Sequence, residues 1–197
     1  MELLLIRHAL PVRIDGGDGP ADPELSDEGL RQAGALAAWL AGEEIDVMVA
    51  SPLRRARETA DPLATLLGLE VEIVDGLAEF DRHATSYVPI EELRAANDPR
   101  WQAMVAGEWD LDPEAFRAGV VAAVEGLIEA HPGRRVAAVC HGGTVNAYLS
   151  ALLGLEQLMF FVPDYTSVSR VRASRSGARG IVSLNETAHL RLVGGIG

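Results

Sequence analysis

Arg7 and His8 come directly after the apolar run Leu3-Leu4-Leu5-Ile6. A short apolar run reads as a buried strand, and the residues just after such a run sit at the strand's carboxyl end. In open α/β sheets that edge is where ligands bind. The theme recurs at Arg135 to Cys140, an apolar strand running into His141-Gly142-Gly143-Thr144. Glycines at such a place let the backbone approach a ligand and present its N–H groups. A further strand, Ile45 to Ala50, leads into Ser51-Pro52-Leu53-Arg54-Arg55. Ser51 as cap and Pro52 as first helical residue predict a helix here, whose amino terminus attracts anions. Between these segments lie the carboxylates Glu79 and Asp81. Two histidines and two arginines at one sheet edge suit a substrate with several anionic oxygens, such as a phosphate. A histidine there can attack phosphorus and split transfer into two steps. Neighbouring positive charge favours its neutral, nucleophilic form. A carboxylic acid would protonate the leaving oxygen and then activate water. Metal is the rival reading of two histidines, but zinc takes three or four close protein ligands and tolerates arginines poorly. No metal is expected.

The elements that must position these groups are legible in order. Leu10 to Pro23 is a loop rich in Gly, Pro and Asp. Ser26 caps a helix carrying Leu30, Ala33, Ala37 and Leu40 at helical spacing, with Gly42 at its end. The helix after Ser51 meets Pro62, which predicts a kink or break near Asp61. Val71 to Val74 is a strand, and Asp75 to Tyr87 is irregular. Pro89 to Ala96 and Pro99 to Ala106 are two short helices. Asp112-Pro113 opens a longer one, with Phe116, Val120, Val124, Leu127 and Ile128 on one side, ended by Pro132-Gly133. A helix from about Val145 to Leu153 is followed by strands Val168 to Ala173 and Gly180 to Leu184. Strands alternating with helices predict an α/β layer architecture with a largely parallel sheet.

The chain has 197 residues, 48% of them hydrophobic, and a net charge of −12. That length suits one domain, 1–197, and the charge argues against nucleic acid or an anionic membrane surface as partner. All seventeen basic residues are arginine, so no lysine nucleophile is available. The single cysteine, Cys140, excludes an internal disulfide and fits a cytoplasmic location. Met1-Glu2 and four apolar residues are too short for a signal peptide, and no run approaches a membrane span of about 18 residues. Met159-Phe160-Phe161-Val162 reads either as core or as a homodimer interface.

Five motifs in order carry a family resemblance. Leu5-Ile6-Arg7-His8-Ala9 resembles the opening motif of the histidine phosphatase superfamily, the phosphoglycerate mutase-like fold. Leu25-Ser26-Asp27-Glu28-Gly29 with Gln32-Ala33 resembles its next motif. Ser51-Pro52-Leu53 with Arg55-Ala56 and Thr59-Ala60 resembles its second arginine motif. Leu77 with Glu79, and Val139-Cys140-His141-Gly142-Gly143, resemble its acid and second histidine segments. Asn185 and Ala188-His189-Leu190 resemble its closing region. The resemblance spans residue 3 to about 190 and implies a three-layer α/β/α sandwich with a mostly parallel central sheet and one antiparallel edge strand. It implies that His8 is the phosphorylated nucleophile. Arg7, Arg55 and His141 would hold the phosphoryl oxygens, with the Gly142 N–H as a further donor. Glu79 would be the proton donor, with Asp81 as fallback, and no metal or organic cofactor would be needed.

The sequence also departs from the family pattern. Ala9 replaces a usual glycine, and Leu10, Pro11 and Ile14 stand where the family has polar residues. Arg13 is therefore read as a substitute phosphate contact. Arg82, His83 and Tyr87 lie in a loop expected to cover the site, part of a modest lid-like insertion at about 80–112. That short insertion favours a metal-independent phosphomonoester hydrolase acting on a small phosphorylated metabolite. A phosphoglycerate mutase-type phosphotransferase and a catalytically silent phospho-ligand binder are the alternatives.

Overall fold

The computed structural model describes residues 1–108 and 112–192; residues 109–111 of the expected insertion lie outside them. The elements run β1 (Glu2–Arg7), α1 (Asp27–Leu40), β2 (Val47–Ala50), α2 (Arg54–Leu67), β3 (Val71–Ile73), α3 (Ile90–Ala95), α4 (Pro99–Ala106), α5 (Pro113–Ala130), β4 (Arg135–Cys140), α6 (Gly142–Leu153), β5 (Val168–Ala173) and β6 (Arg179–Glu186). Short 3₁₀ turns occupy Asp75–Leu77 and Ala188–Leu192. Among the described residues no helix is long and apolar enough to cross a membrane.

The six strands form one sheet in the order β3-β2-β4-β1-β5-β6. β3, β2, β4 and β1 run parallel, and β5 is antiparallel to β1. β6 pairs antiparallel with β5. The reversed strand therefore lies one place inside the edge, not at the edge as the resemblance implies. A turn closed by Ser174 N–H on Ala178 C=O folds β6 back outside it.

Period-two alternation divides the core between the two faces. Leu3 and Leu5 of β1 join Val136, Ala138 and Cys140 of β4 under α5 and α6, with Val124, Leu127, Val145 and Tyr148. Leu4 and Ile6 join Ala137 and Val139 on the other face, under Leu36 and Leu40 of α1 and Ala60 and Leu63 of α2. Both faces are covered, which is why β1 and β4 read as unbroken apolar runs.

Register does the positioning. Ile6 lies opposite Val139, and Val139 opposite Ala50. Three strand ends are thus level, and the next residues of each chain segment emerge together. His8 N–H bonds Cys140 C=O at 2.9 Å, and Ser51 N–H bonds Val139 C=O at 2.9 Å.

Several local expectations change. α2 starts at Arg54 with Leu53 as N-cap, not at Pro52. It runs through Pro62 to Leu67 without ending, because Ala60, Leu63 and Ala64 are packed on the sheet on both sides of the proline. α6 starts at Gly142, three residues before the apolar pattern begins. The buried stripe of α1 is Gly29, Ala33, Leu36, Ala37 and Leu40, while Leu30 is 54% exposed. Gly29 belongs there because a Cβ would come within 2.0 Å of the Leu10 carbonyl oxygen. The residue closing α1 is Ala41 rather than Gly42.

Candidate active site

Arg7 closes β1 and is buried. Its Nη1 donates to the Pro163 carbonyl at 2.6 Å and to Glu91 Oε1 at 2.8 Å. Its guanidinium carbon stands 3.7 Å from the Tyr165 ring centroid. His8 Nδ1 lies 2.8 Å from the Ala9 carbonyl oxygen. A carbonyl only accepts, so Nδ1 carries the proton and Nε2 is left with its lone pair. Burial pushes His8 well below the usual histidine range, and Arg55 and Arg7 act in the same direction. A neutral imidazole with a bare Nε2 is the nucleophilic form.

Arg55 sits in the first turn of α2 at 1% exposure. Its Nη2 donates to Asp81 Oδ1 at 2.8 Å, and its guanidinium carbon is 4.8 Å from the Tyr87 ring centroid. Its Nε and Nη1 are buried without a hydrogen-bond partner. Unpaired buried donors are costly, and the guanidinium fork matches two oxygens of a phosphoryl group. His141 is fully buried beside His8, with ring centroids 5.1 Å apart. Its Nε2 is 2.7 Å from Ser51 Oγ, and its Nδ1 is likewise buried without a partner. Burial first, then Arg55, His8 and Arg7, hold this ring neutral too.

Glu79 is the buried acid. Oε2 accepts from the Gly143 N–H at 2.7 Å, and Oε1 from the Phe80 N–H at 3.1 Å. Burial, reinforced by the neighbouring charge of Asp81, pushes its carboxyl up to about 7. Such a group can give a proton and take one back near neutrality. Gly143 makes this seat possible: a Cβ there would come within 2.3 Å of Glu79 Oε1.

Arg7, His8, Arg55, Glu79, Asp81 and Gly142 all line a cavity of about 280 Å³. Its remaining walls come from residues 80–104 and from Gly143, Met159, Val162 and Pro163. His141 packs against His8 at the edge of this cavity, its Nδ1 free of any protein partner. Three expected contacts are not brought in. Arg13 is half-exposed and pairs with Asp15 and Glu92. Arg82 makes a two-pronged bond to Asp75, and with His83 borders a separate hollow beside α5. Leu10, Pro11 and Ile14 do not line the cavity; Ile14 instead bridges Tyr87. Among the described residues, no three His, Cys, Asp or Glu side chains gather as metal ligands would.

Other residues position the site and were not singled out from sequence. Thr59 Oγ1 accepts from the Ala9 N–H and donates to the Arg55 carbonyl, tying the nucleophile loop to α2. Gln32 Oε1 accepts from the Leu10 N–H, and Ser26 Oγ donates to the Leu10 carbonyl. Thr59, Gln32 and Ser26 stand within the quoted motifs, so the signal was present without a mechanism. Glu91 and Tyr165, which hold Arg7, carry no local signal because they meet it only in the fold.

The histidine phosphatase superfamily (branch 1) matches residues 3–187. Phosphoserine phosphatase 1 of Hydrogenobacter thermophilus is 31% identical over 96% of this chain and 94% of its own length. The crystal structure of Entamoeba histolytica phosphoserine phosphatase with 3-phosphoglyceric acid superposes with a TM-score of 0.76 at 25% identity, covering 96% of this chain and 98% of that one. A mycobacterial glucosyl-3-phosphoglycerate phosphatase in complex with VO3 gives 0.77 at 25% identity, over 94% and 99%. With this match over nearly all its length, and with its motifs meeting at one sheet edge, the chain belongs to the histidine phosphatase superfamily.

Proposed function

We propose that the protein hydrolyses small phosphomonoesters through a phosphohistidine at His8. The observation that carries this reading is the state of His8: Nδ1 is tied to the Ala9 carbonyl, and the ring is kept neutral by burial between two arginines. Nε2 attacks phosphorus while the phosphorus–oxygen bond to the leaving group breaks. Protonated Glu79 gives its proton to the departing oxygen, and the alcohol leaves. The Glu79 carboxylate then takes a proton from water as that water attacks phosphorus. The phosphorus–nitrogen bond breaks, phosphate departs, and Glu79 is again protonated. Arg7 and Arg55 hold the equatorial oxygens, whose charge they offset in both steps. The Gly142 N–H, at the first position of α6 where no intrahelical acceptor exists, adds a donor. His141 adds a further contact to these oxygens: its Nε2 is taken by Ser51 Oγ, while its Nδ1 is buried beside His8 without a protein partner.

The test is turnover of 4-nitrophenyl phosphate in EDTA, together with base-quenched trapping of label from a radioactive phosphoester. Wild type should release phosphate and carry acid-labile label on His8. His8→Ala should lose both, by a factor of about 10³ or more in rate. Equal turnover in the two proteins would overturn the assignment.

A further inference from the structure

Away from the sheet edge the cavity changes character. Its walls are mostly apolar there, with Phe80, Val88, Ile90, Met104, Met159 and Val162 outnumbering the polar Ser86, Tyr87 and Arg100. Among the described residues Arg100 is the one cation lining this part of the cavity, and it is already paired with Asp98. Nε donates to Asp98 Oδ1 and Nη2 to Asp98 Oδ2, each at 2.9 Å. Among the described residues, a carboxylate carried on the leaving group would meet no cation on these walls but Arg100, which it would share with Asp98. It would also shed water against apolar side chains, which is unfavourable without a partner. An apolar group gains in proportion to the area it buries. Phosphoserine and phosphoglycerates both carry a carboxylate, so they are poorly matched to this surface.

We propose that the substrates are phosphomonoesters of alcohols with an uncharged, apolar body, aromatic or short alkyl, seated against Phe80, Met104 and Val162. This rests on the phosphatase reading above and adds the class of the leaving group. The cavity of about 280 Å³ falls just below the range of roughly 300–1,000 Å³ typical of ligand clefts, which favours a single ring or a short chain.

Three esters of primary alcohols separate the possibilities: 2-phenylethyl phosphate, glycerol 1-phosphate and O-phosphoserine. Their leaving oxygens are alike in kind, so differences in kcat/KM report recognition of the body. The apolar ester should exceed both others by about tenfold or more. Met104→Gln and Val162→Thr keep side-chain volume while adding polarity. Each should cut the ratio of 2-phenylethyl phosphate to glycerol 1-phosphate by roughly threefold or more. If glycerol 1-phosphate or O-phosphoserine matches the apolar ester, or the ratio is unmoved in both variants, the apolar assignment fails. His8-dependent turnover would in that case leave the phosphatase reading intact. Turnover of none of the three, nor of 4-nitrophenyl phosphate, would sink both.

Discussion

Glu79 keeps its proton near neutrality because the carboxylate form would be buried beside Asp81, with only two backbone N–H groups to receive it. That has consequences in catalysis and in stability. For an alkyl phosphate the leaving oxygen needs the proton, so kcat/KM should fall as pH rises through about 7. Glu79→Gln should lose about 10²–10⁴-fold on an alkyl ester, and far less on 4-nitrophenyl phosphate, whose leaving group departs as an anion. The alkaline limb near neutrality should vanish in the variant. For stability, the folded carboxyl binds its proton more tightly than the unfolded one. Its contribution is therefore full below the ordinary carboxyl value of 4.5 and is lost as pH rises through about 7. Urea unfolding across that window should show wild type weakening more than Glu79→Gln. A pH–rate profile in Glu79→Gln superimposable on wild type would remove Glu79 from the proton transfer and shift attention to Asp81, which is engaged by Arg55.

Two adjacent glycines at the start of α6 have opposite duties. A Cβ on Gly143 would collide with Glu79 Oε1 at 2.3 Å and with Phe80 Cδ1 at 2.9 Å, whereas one on Gly142 would meet nothing nearer than Arg7 Nε at 3.8 Å. Gly143→Ala should therefore displace the acid, costing roughly 1–3 kcal/mol in stability and at least about 10²-fold in kcat/KM. Gly142→Ala should hold its stability or gain up to about 1 kcal/mol, since alanine is the better helix former. Chemical denaturation and steady-state kinetics on the pair decide this; equal damage from both would mean that the Glu79 seat is not the constraint. Elements of this kind were partly legible in the sequence. The apolar runs mark both β1 and β4, because strands covered on two faces have no polar interruptions to obscure them; β4 has the expected bounds, and β1 extends one residue further at each end, to Glu2 and Arg7. The start of α6 was hidden because glycine and threonine carry no apolar pattern. Ser51 looked like a helix cap, yet the buried His141 takes its hydroxyl and α2 starts after Leu53. Arg13, Arg82 and His83 stand near the site in the chain but do not line the cavity. Each of the two arginines instead finds carboxylates on the surface, a pairing that no local spacing announces.

The whole molecule carries a net charge of −12 and must still receive a phosphate. It does so with two buried arginines, each partly offset by a carboxylate from the segment that covers the site: Arg7 by Glu91 of α3 and Arg55 by Asp81. An oxyanion held by both guanidinium groups would connect the end of β1, the start of α2 and, through Glu91, the covering helices. Binding of that kind stabilises only the folded chain. At about one hundred times its dissociation constant, phosphate or orthovanadate contributes about 2.7 kcal/mol. For a chain of this length that is a rise in Tm of roughly 5–10 °C. Arg55→Ala removes the guanidinium whose Nε and Nη1 have no protein partner, and should reduce the rise to below about 2 °C. Arg13→Ala should keep the full rise, because its guanidinium pairs with Asp15 and Glu92 on the surface rather than with the cavity. Thermal scans of the three proteins against increasing phosphate therefore separate the two arginines. An undiminished rise in Arg55→Ala would take Arg55 out of the anion site. A rise lost in Arg13→Ala would bring that side chain, and with it the loop from Leu10 to Ile14, back into contact with the substrate.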